Sequence, residues 1–304
     1  MGKIIESVIN FSEGRDENKI EQIINELKKT EGVKLLDSSY DADHNRCVVT
    51  FIGEPKAVGN GAYRLTAKAA ELIDMEKHQG GHPRMGATDV IPFVPIFNAT
   101  MEDCLELAKE VGKKIGNQLE IPVFLYGEAA SNPEHTNLAN VRRGEFEGLK
   151  EKIGTPEKTP DFGPGKIHPS AGAVAVGARK PLVAYNVNLH TDDLRIAKNI
   201  ANAVREKKGG LKNVKAIGLK LEERNQVQVS MNLVDCEATP IHRVMALIKA
   251  EAGRYGVAVA ESELIGLSPQ EYLIEAACHY LQLNNFNSGQ IIENHLLAEE
   301  GEEK

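Results

Sequence analysis

The sequence predicts an α/β (α+β) chain made of two ferredoxin-like βαββαβ units. Three observations carry the prediction. Short β-branched runs alternate with segments whose apolar residues recur every three or four positions. The order strand-helix-strand-strand-helix-strand occurs once in the first half and again in the second. Between the two copies lies a long stretch rich in Gly, Pro, Asn and Arg, ending near Lys180-Pro181. The expected domains are therefore residues 1–180 and 181–304.

In the first half, residues 3–10 form a strand of β-branched residues. Asn18 to Lys29 places Ile20, Ile23, Ile24 and Leu27 on one helical face. Val33 to Leu36 begins a second strand and Cys47 to Ile52 forms a third, with the polar run Asp37 to Arg46 as their hairpin connection. Pro55 opens a helix through about Ile73, as proline does in a first turn, and Val90 to Ile96 closes the unit as a strand. Ala99 to Gly116 adds a helix with a stripe of Cys104, Leu105, Ala108, Val111 and Ile115. Pro122 to Tyr126 adds a short strand, and Ala173 to Val176 supplies another.

The second half repeats the order. Leu182 to Leu189 is a strand, and Thr191 is expected to cap a helix from about Asp192 to Lys207. Lys215 to Leu221 and Gln226 to Leu233 form a hairpin across Glu222-Glu223-Arg224-Asn225. Pro240 opens a helix to about Tyr255, Val257 to Leu264 is a strand, and Pro269 starts a last helix to about Leu283. Both halves also carry asparagines in the first strand: Asn10 in one, Asn186 and Asn188 in the other.

Composition narrows the function. With 304 residues, 41% hydrophobic and 26% charged, the chain is an ordinary globular protein large enough for two cores. A net charge of −8 lacks the basic face that phosphate neutralisation needs, and 5% aromatics with no tryptophan lacks a stacking platform, so nucleic acid is not an expected partner. Cys47, Cys104, Cys236 and Cys278 are scattered among apolar neighbours, which fits buried reduced thiols in the cytoplasm. No apolar run reaches the length of a membrane span, and the N-terminus has no signal-peptide core. The acidic end, Glu299 to Lys304, reads as a solvated tail.

Three segments can carry chemistry. The first, Gly80-Gly81-His82-Pro83-Arg84-Met85-Gly86-Ala87-Thr88-Asp89, holds an imidazole beside a guanidinium on a loop stiffened by proline. The second runs from Asp161 to Gly172 and exposes backbone amides around Gly163, Pro164, Gly165, Lys166, Ile167, His168, Pro169, Ser170 and Ala171. It is no P-loop, lacking the lysine-serine or lysine-threonine ending and a following helix. The third, Val8 to Arg15, turns from strand to helix, where Asn10, Ser12 and Glu13 serve either as caps or as ligand contacts. His78 and His82 stand four apart, but Gly80 and Gly81 interrupt any helix between them, so no metal site is expected. No G-x-S-x-G elbow supports a serine hydrolase. The pairs Arg142-Arg143 and Arg179-Lys180 are solvated surface or attract an acidic ligand.

Four phrases together carry a family resemblance: Val8 to Gly14, His78 to Ala87, Tyr126-Gly127-Glu128-Ala129-Ala130, and Asp161-Phe162-Gly163-Pro164. Across nearly its whole length the chain resembles the glutamate formiminotransferases, the transferase half of formiminotransferase-cyclodeaminase. The resemblance implies transfer of a formimino group from N-formimino-L-glutamate to N5 of tetrahydrofolate, in histidine degradation and without a metal. It implies two subdomains with facing sheets and a ligand tunnel, in a homodimer. It puts the catalytic general acid/base on His82 and the folate-binding stretch on Gly163 to Gly172; beside it, the chemistry of the residues themselves makes Asn10, Arg84 and Asp37 candidate substrate contacts. Arg84 is expected to meet a carboxylate of the glutamate or of the folate tail; Asp37, Asp41 or Asp43 is expected beside the amidinium. The sequence departs from the family at Ala171, where bifunctional relatives carry an aromatic, and in the more acidic Asp37 to His44. No stretch matches the cyclodeaminase half, so ring closure is expected of a separate protein. Two alternatives stand beside this reading: formyl transfer between glutamate and tetrahydrofolate, and a noncatalytic folate- or amino-acid-binding regulatory protein.

Overall fold

The computed structural model describes residues 2–295 and divides the chain into two compact units, Gly2–Lys180 and a second beginning at Pro181. The first unit contains β1 (Ile4–Phe11), α1 (Glu17–Lys28), β2 (Val33–Asp41), β3 (Arg46–Gly53), α2 (Pro55–Leu72), β4 (Thr88–Phe97), α3 (Met101–Gln118), β5 (Val123–Gly127), α4 (Leu138–Val141), α5 (Glu145–Lys152) and β6 (Val174–Ala178). Its sheet has the order β2-β3-β1-β4-β6-β5. Neighbours among the first four strands are antiparallel, and β6 joins β4 and β5 in parallel.

Each helix forms for local reasons. Asp16 caps α1, its carboxylate accepting from the amides of Asn18 and Lys19 at 3.1 and 3.2 Å. The predicted Ile20, Ile23, Ile24 and Leu27 stripe of α1 is buried. Pro55 stands in the first turn of α2, and Thr100 and Asp103 form a reciprocal capping box at α3. These helices cover the sheet face that carries Ile5, Ile9, Phe11, Val49, Phe51, Ile91, Phe93, Val123 and Val174, all of them fully buried. Burying each large side chain there contributes about 1.5–3 kcal/mol.

On the opposite face, Val90, Phe124, Tyr126, Ala173 and Ala175 form a smaller core with Met85, Val141 and Leu149. The excursion that contains α4 and α5 therefore covers the β4-β6-β5 half of that face. From its sequence alone this excursion reads as irregular. Its helices are only four and eight residues long, too short for a periodic pattern to register. On the same face of the other half stand Val8 and Asn10 of β1 and Val48 of β3, all half-buried.

The hairpin differs from expectation. Strand β2 runs on to Asp41, so Asp37 is a strand residue opposite Thr50 and not part of a loop. A bulge between Leu35 and Asp37 shifts the register, after which Asp41 lies opposite Arg46. Strand pairing overrides the low strand propensity of Asp37, Ser38 and Ser39, leaving only residues 42–45 as the turn.

The second unit contains β7 (Val183–Leu189), α6 (Leu194–Val204), β8 (Val214–Leu221), β9 (Gln226–Leu233), α7 (Ile241–Gly253), β10 (Val259–Ile265) and α8 (Gln270–Leu281). Its antiparallel sheet has the order β10-β7-β9-β8. That is the same relative order as β4-β1-β3-β2 of the first unit, so the repeat read from the sequence is a repeat of topology. Val183, Val187, Leu189, Val227, Val229 and Leu233 pack under Ile200, Val204, Val244 and Ile248. The other face carries Asn186, Asn188 and Gln228; Gln228 Nε2 donates to Asn188 Oδ1 at 2.9 Å and to Glu263 Oε1 at 3.0 Å.

Here too there are corrections. Asp193 and not Thr191 caps α6, accepting from the Arg195 amide, and α6 ends at Val204, short of Lys207. Thr191 instead accepts from the Asp193 amide through its hydroxyl. The hairpin turn is a short 3-10 segment, Glu222–Arg224, closed by Asn225 at φ 48°. Cys47, Cys104 and Cys236 are buried free thiols that burial pushes up to about 12, whereas Cys278 is only half-buried. The acidic tail from Glu299 lies outside the described residues.

Candidate functional site

Four segments distant in sequence converge in the first unit: the end of β1, the turn between β2 and β3, the loop from His78 to Asp89, and the stretch Asp161 to Ala173. Gly86 is their junction. The Ser12 amide and hydroxyl donate to Ala87 O and Gly86 O, each at 2.8 Å. The Ala87 amide donates to Ala171 O at 2.9 Å, and the Ala173 amide to Met85 O at 3.0 Å. A Cβ on Gly86 would stand 2.0 Å from Ala173 O, so only glycine permits this crossing. Gly172 meets it from the other strand at φ 72°.

The β2-β3 turn fastens the other end of the loop. Asn45 accepts the Gly14 amide on its side-chain oxygen at 2.9 Å and donates its amide nitrogen to Gln79 O at 3.0 Å. Gly81 donates to Asp43 O at 3.1 Å. His78 is fully committed: its Nε2 lies 3.0 Å from Asn45 O and its Nδ1 accepts Arg84 Nε at 3.3 Å, which assigns the proton to Nε2.

His82 is half-buried and lines a narrow cleft together with Ser12, His44, Asn45, Arg46, His78, Arg84 and Asp89. The His44 ring stands edge-on to it, with centroids 6.4 Å apart. Burial, followed by the positive charges of Arg46 and Arg142 and then by His44, pushes the imidazole down to about 3. At neutral pH it is therefore uncharged, and as a base it is weakened by the same burial and charges. His44 itself is held by Asp41, whose Oδ1 lies 2.8 Å from Nδ1 and also accepts the His44 amide.

Arg84 stands otherwise than the sequence suggested. It is buried at 8% exposure, and its guanidinium binds Glu145 at 2.9 Å and Glu147 at 2.6 and 2.8 Å. Those carboxylates already occupy its donors, so Arg84 holds α5 to the loop and is not free for a substrate anion. Arg142, read as surface or as an anion attractor, is paired with Asp89. Asp89 is fully buried and also accepts the Met85 amide at 2.9 Å; burial pushes its carboxyl upward and Arg142 opposes that. Asn10 and Asp37 sit on β1 and β2, and Asn10 Nδ2 donates back to Val8 O at 3.2 Å.

Within Gly163 to Gly172, the backbone of His168 and Gly172 exchange two hydrogen bonds of 3.1 Å, and His168 Nδ1 accepts the Ala171 amide at 3.0 Å. Gly163, Gly165, Lys166 and Pro169 are exposed. This stretch is thus a preformed loop whose inner end is bonded to the far end of the His82 loop. Sequence reasoning passed over Asn45, Arg46 and the Asp89–Arg142 pair. For Asn45 and Arg46 the one signal was polarity in a segment taken for a hairpin connection; Asp89 and Arg142 were each read, but nothing in the sequence joined them.

The fold and the cleft define a protein of two βαββαβ-type units, the first with a half-buried imidazole that shares a cleft with the guanidiniums of Arg46 and Arg84. Residues 4–179 match the family model of the formiminotransferase domain, N-terminal subdomain, and residues 184–297 match that of the formiminotransferase domain. The chain belongs to the formiminotransferase family. It is 51% identical to a glutamate formimidoyltransferase of Streptococcus pyogenes serotype M1, covering 98% of this chain and 100% of that one. It is 47% identical to a glutamate formimidoyltransferase of Thermoplasma acidophilum, covering 95% and 96%. It is also 44% identical to the formimidoyltransferase-cyclodeaminase of Mus musculus, covering 92% of this chain and 53% of that longer one.

Proposed function

We propose that this chain is a glutamate formimidoyltransferase of histidine degradation, moving the formimino group from N-formimino-L-glutamate to N5 of tetrahydrofolate. The N5 lone pair attacks the formimino carbon and forms the new C–N bond. The nitrogen thereby becomes positively charged and gives its proton to the His82 imidazole. His82 then returns that proton to the glutamate nitrogen as the old C–N bond breaks, leaving L-glutamate and 5-formiminotetrahydrofolate. Positioned proton transfer of this kind is worth about 10²–10⁴ in rate, and the rest comes from holding two substrates together.

The observation that carries this reading is the bonding of the Gly163 to Gly172 stretch to the His82 loop across Gly86 and Gly172, in a chain matching this family end to end. A pterin held along the first segment has its N5 beside the second. Free amides and the exposed Lys166 of that stretch suit the folate, while Asn10 and Asp37 face the donor from β1 and β2. Tetrahydrofolate is a cosubstrate. The protein works as a cytoplasmic homodimer, and a cyclodeaminase consumes its product.

Incubation with formiminoglutamate and tetrahydrofolate, followed by mass spectrometry, tests the reading. 5-Formiminotetrahydrofolate is the expected product, and His82→Ala lowers kcat by at least about a hundredfold with an unchanged far-ultraviolet circular dichroism spectrum. Turnover of formylglutamate in its place, or binding without product, overturns the reaction assigned. Near-normal turnover by His82→Ala removes the imidazole from it.

A further inference from the structure

Arg46 opens β3 directly after the turn that fastens the His82 loop, and it lines the same cleft as His82. Among the described residues its side chain makes no hydrogen bond and no ion pair, although it is only partly exposed; Asp89 and Asp41 act on its charge without touching it. Its cross-strand neighbour Asp41 spends its carboxylate on His44. The nearby Asp89 spends its own on Arg142 and the Met85 amide. Arg84, the other guanidinium in the cleft, is neutralised by Glu145 and Glu147. One positive charge is therefore left over, on a rigid strand end beside the imidazole. A desolvated guanidinium without a partner is costly, and a ligand carboxylate relieves that cost.

We propose that Arg46 binds the α-carboxylate of the formimino donor, a specificity-determining contact that rests on the transferase reading given above. Proximity chooses the donor over the folate. The α-carboxylate is attached to the carbon that bears the formimino nitrogen, so it lies within the same cleft as the reacting carbon. The carboxylates of folate are separated from N5 by the whole aminobenzoyl ring. The same placement gives a second effect. Neutralising Arg46 removes one of the two guanidinium charges that hold His82 deprotonated, so donor binding raises the basicity of the imidazole at the moment it must take a proton.

Arg46→Gln and Arg46→Lys, assayed with formiminoglutamate and with its α-amide and γ-amide analogues, test the assignment. The wild-type enzyme is expected to lose about 10–150-fold in kcat/KM on the α-amide and far less on the γ-amide. Arg46→Gln is expected to fall by a similar factor on formiminoglutamate through KM, to stop discriminating against the α-amide, and to keep its KM for tetrahydrofolate. Arg46→Lys recovers part of the loss. Calorimetric binding of L-glutamate, which needs no turnover, weakens in parallel. A variant whose defect lies in the folate KM, or one that still discriminates against the α-amide, overturns the assignment. Discrimination against the γ-amide alone overturns the choice of carboxylate. If the wild-type enzyme turns over no formimino donor at all, it is the transferase reading that has failed, and glutamate calorimetry still decides the fate of Arg46.

Discussion

Replacing Asp89 by Asn would expose what holds the His82 loop. Asp89 is 2% exposed; one carboxylate oxygen accepts the Met85 amide at 2.9 Å and the other meets Arg142. Asparagine keeps the shape and the Met85 bond and removes only the charge. Arg142, whose Nε is already buried without a partner, then stays buried as an uncompensated cation near Arg46 and His82. Breaking one side of such a pair costs about 3–5 kcal/mol. In a unit of this size that corresponds to a fall in Tm of roughly 6–20 °C, read by thermal circular dichroism. The double variant Asp89→Asn with Arg142→Met discards the orphaned charge and regains at least about half of the loss, because a buried ion pair is often replaceable by apolar groups. A single variant melting within about 1 °C of wild type, or a double variant no more stable than the single, would refute the reasoning.

Other outcomes follow from the same geometry. Arg84→Met lowers stability by about 2–4 kcal/mol while leaving the donor KM within about twofold, because its partners are Glu145 and Glu147 and not a ligand; a large KM effect with normal Tm contradicts this. His82 is depressed to about 3 in the folded chain, so it binds fewer protons there than when unfolded, and stability is lost as pH falls from the ordinary histidine range toward that value. Tm recorded against pH shows a steeper acid decline in wild type than in His82→Gln, and the His82 ring signals in an NMR titration stay in the neutral form down to about pH 4. A ring midpoint near 6.5 would place the imidazole in a solvated setting and refute the burial described for it.

The legible part of this fold was the part governed by periodicity. The stripe of Ile20, Ile23, Ile24 and Leu27 specifies α1 without help, and Pro55 and Pro240 mark where two other helices begin. Segments decided by distant pairing were misread. Asp37, Ser38 and Ser39 carry poor strand propensity and became strand because β3 lies alongside them. The site divides in the same way. His82, Pro83 and the glycines around them announce a shaped loop locally. Nothing local reveals that Glu145 and Glu147 have claimed Arg84, or that Asp89 has claimed Arg142, since both pairings join residues more than 50 positions apart. Arg46 was passed over because a guanidinium is judged by what is missing around it, and that can be counted only in three dimensions.

The bulge in β2 gives that strand one residue of slack. Leu36 is the extra residue: Leu35 lies opposite Phe51 and Asp37 opposite Thr50. Deleting Leu36 would straighten the strand and still leave Asp37 opposite Thr50 and Asp41 opposite Arg46. The turn that grips Gly14, Gln79 and Gly81 would keep its place. A single-codon deletion at this exposed leucine would therefore spare the cleft, which is the unusual case of a strand that can lose a residue without turning its side chains over.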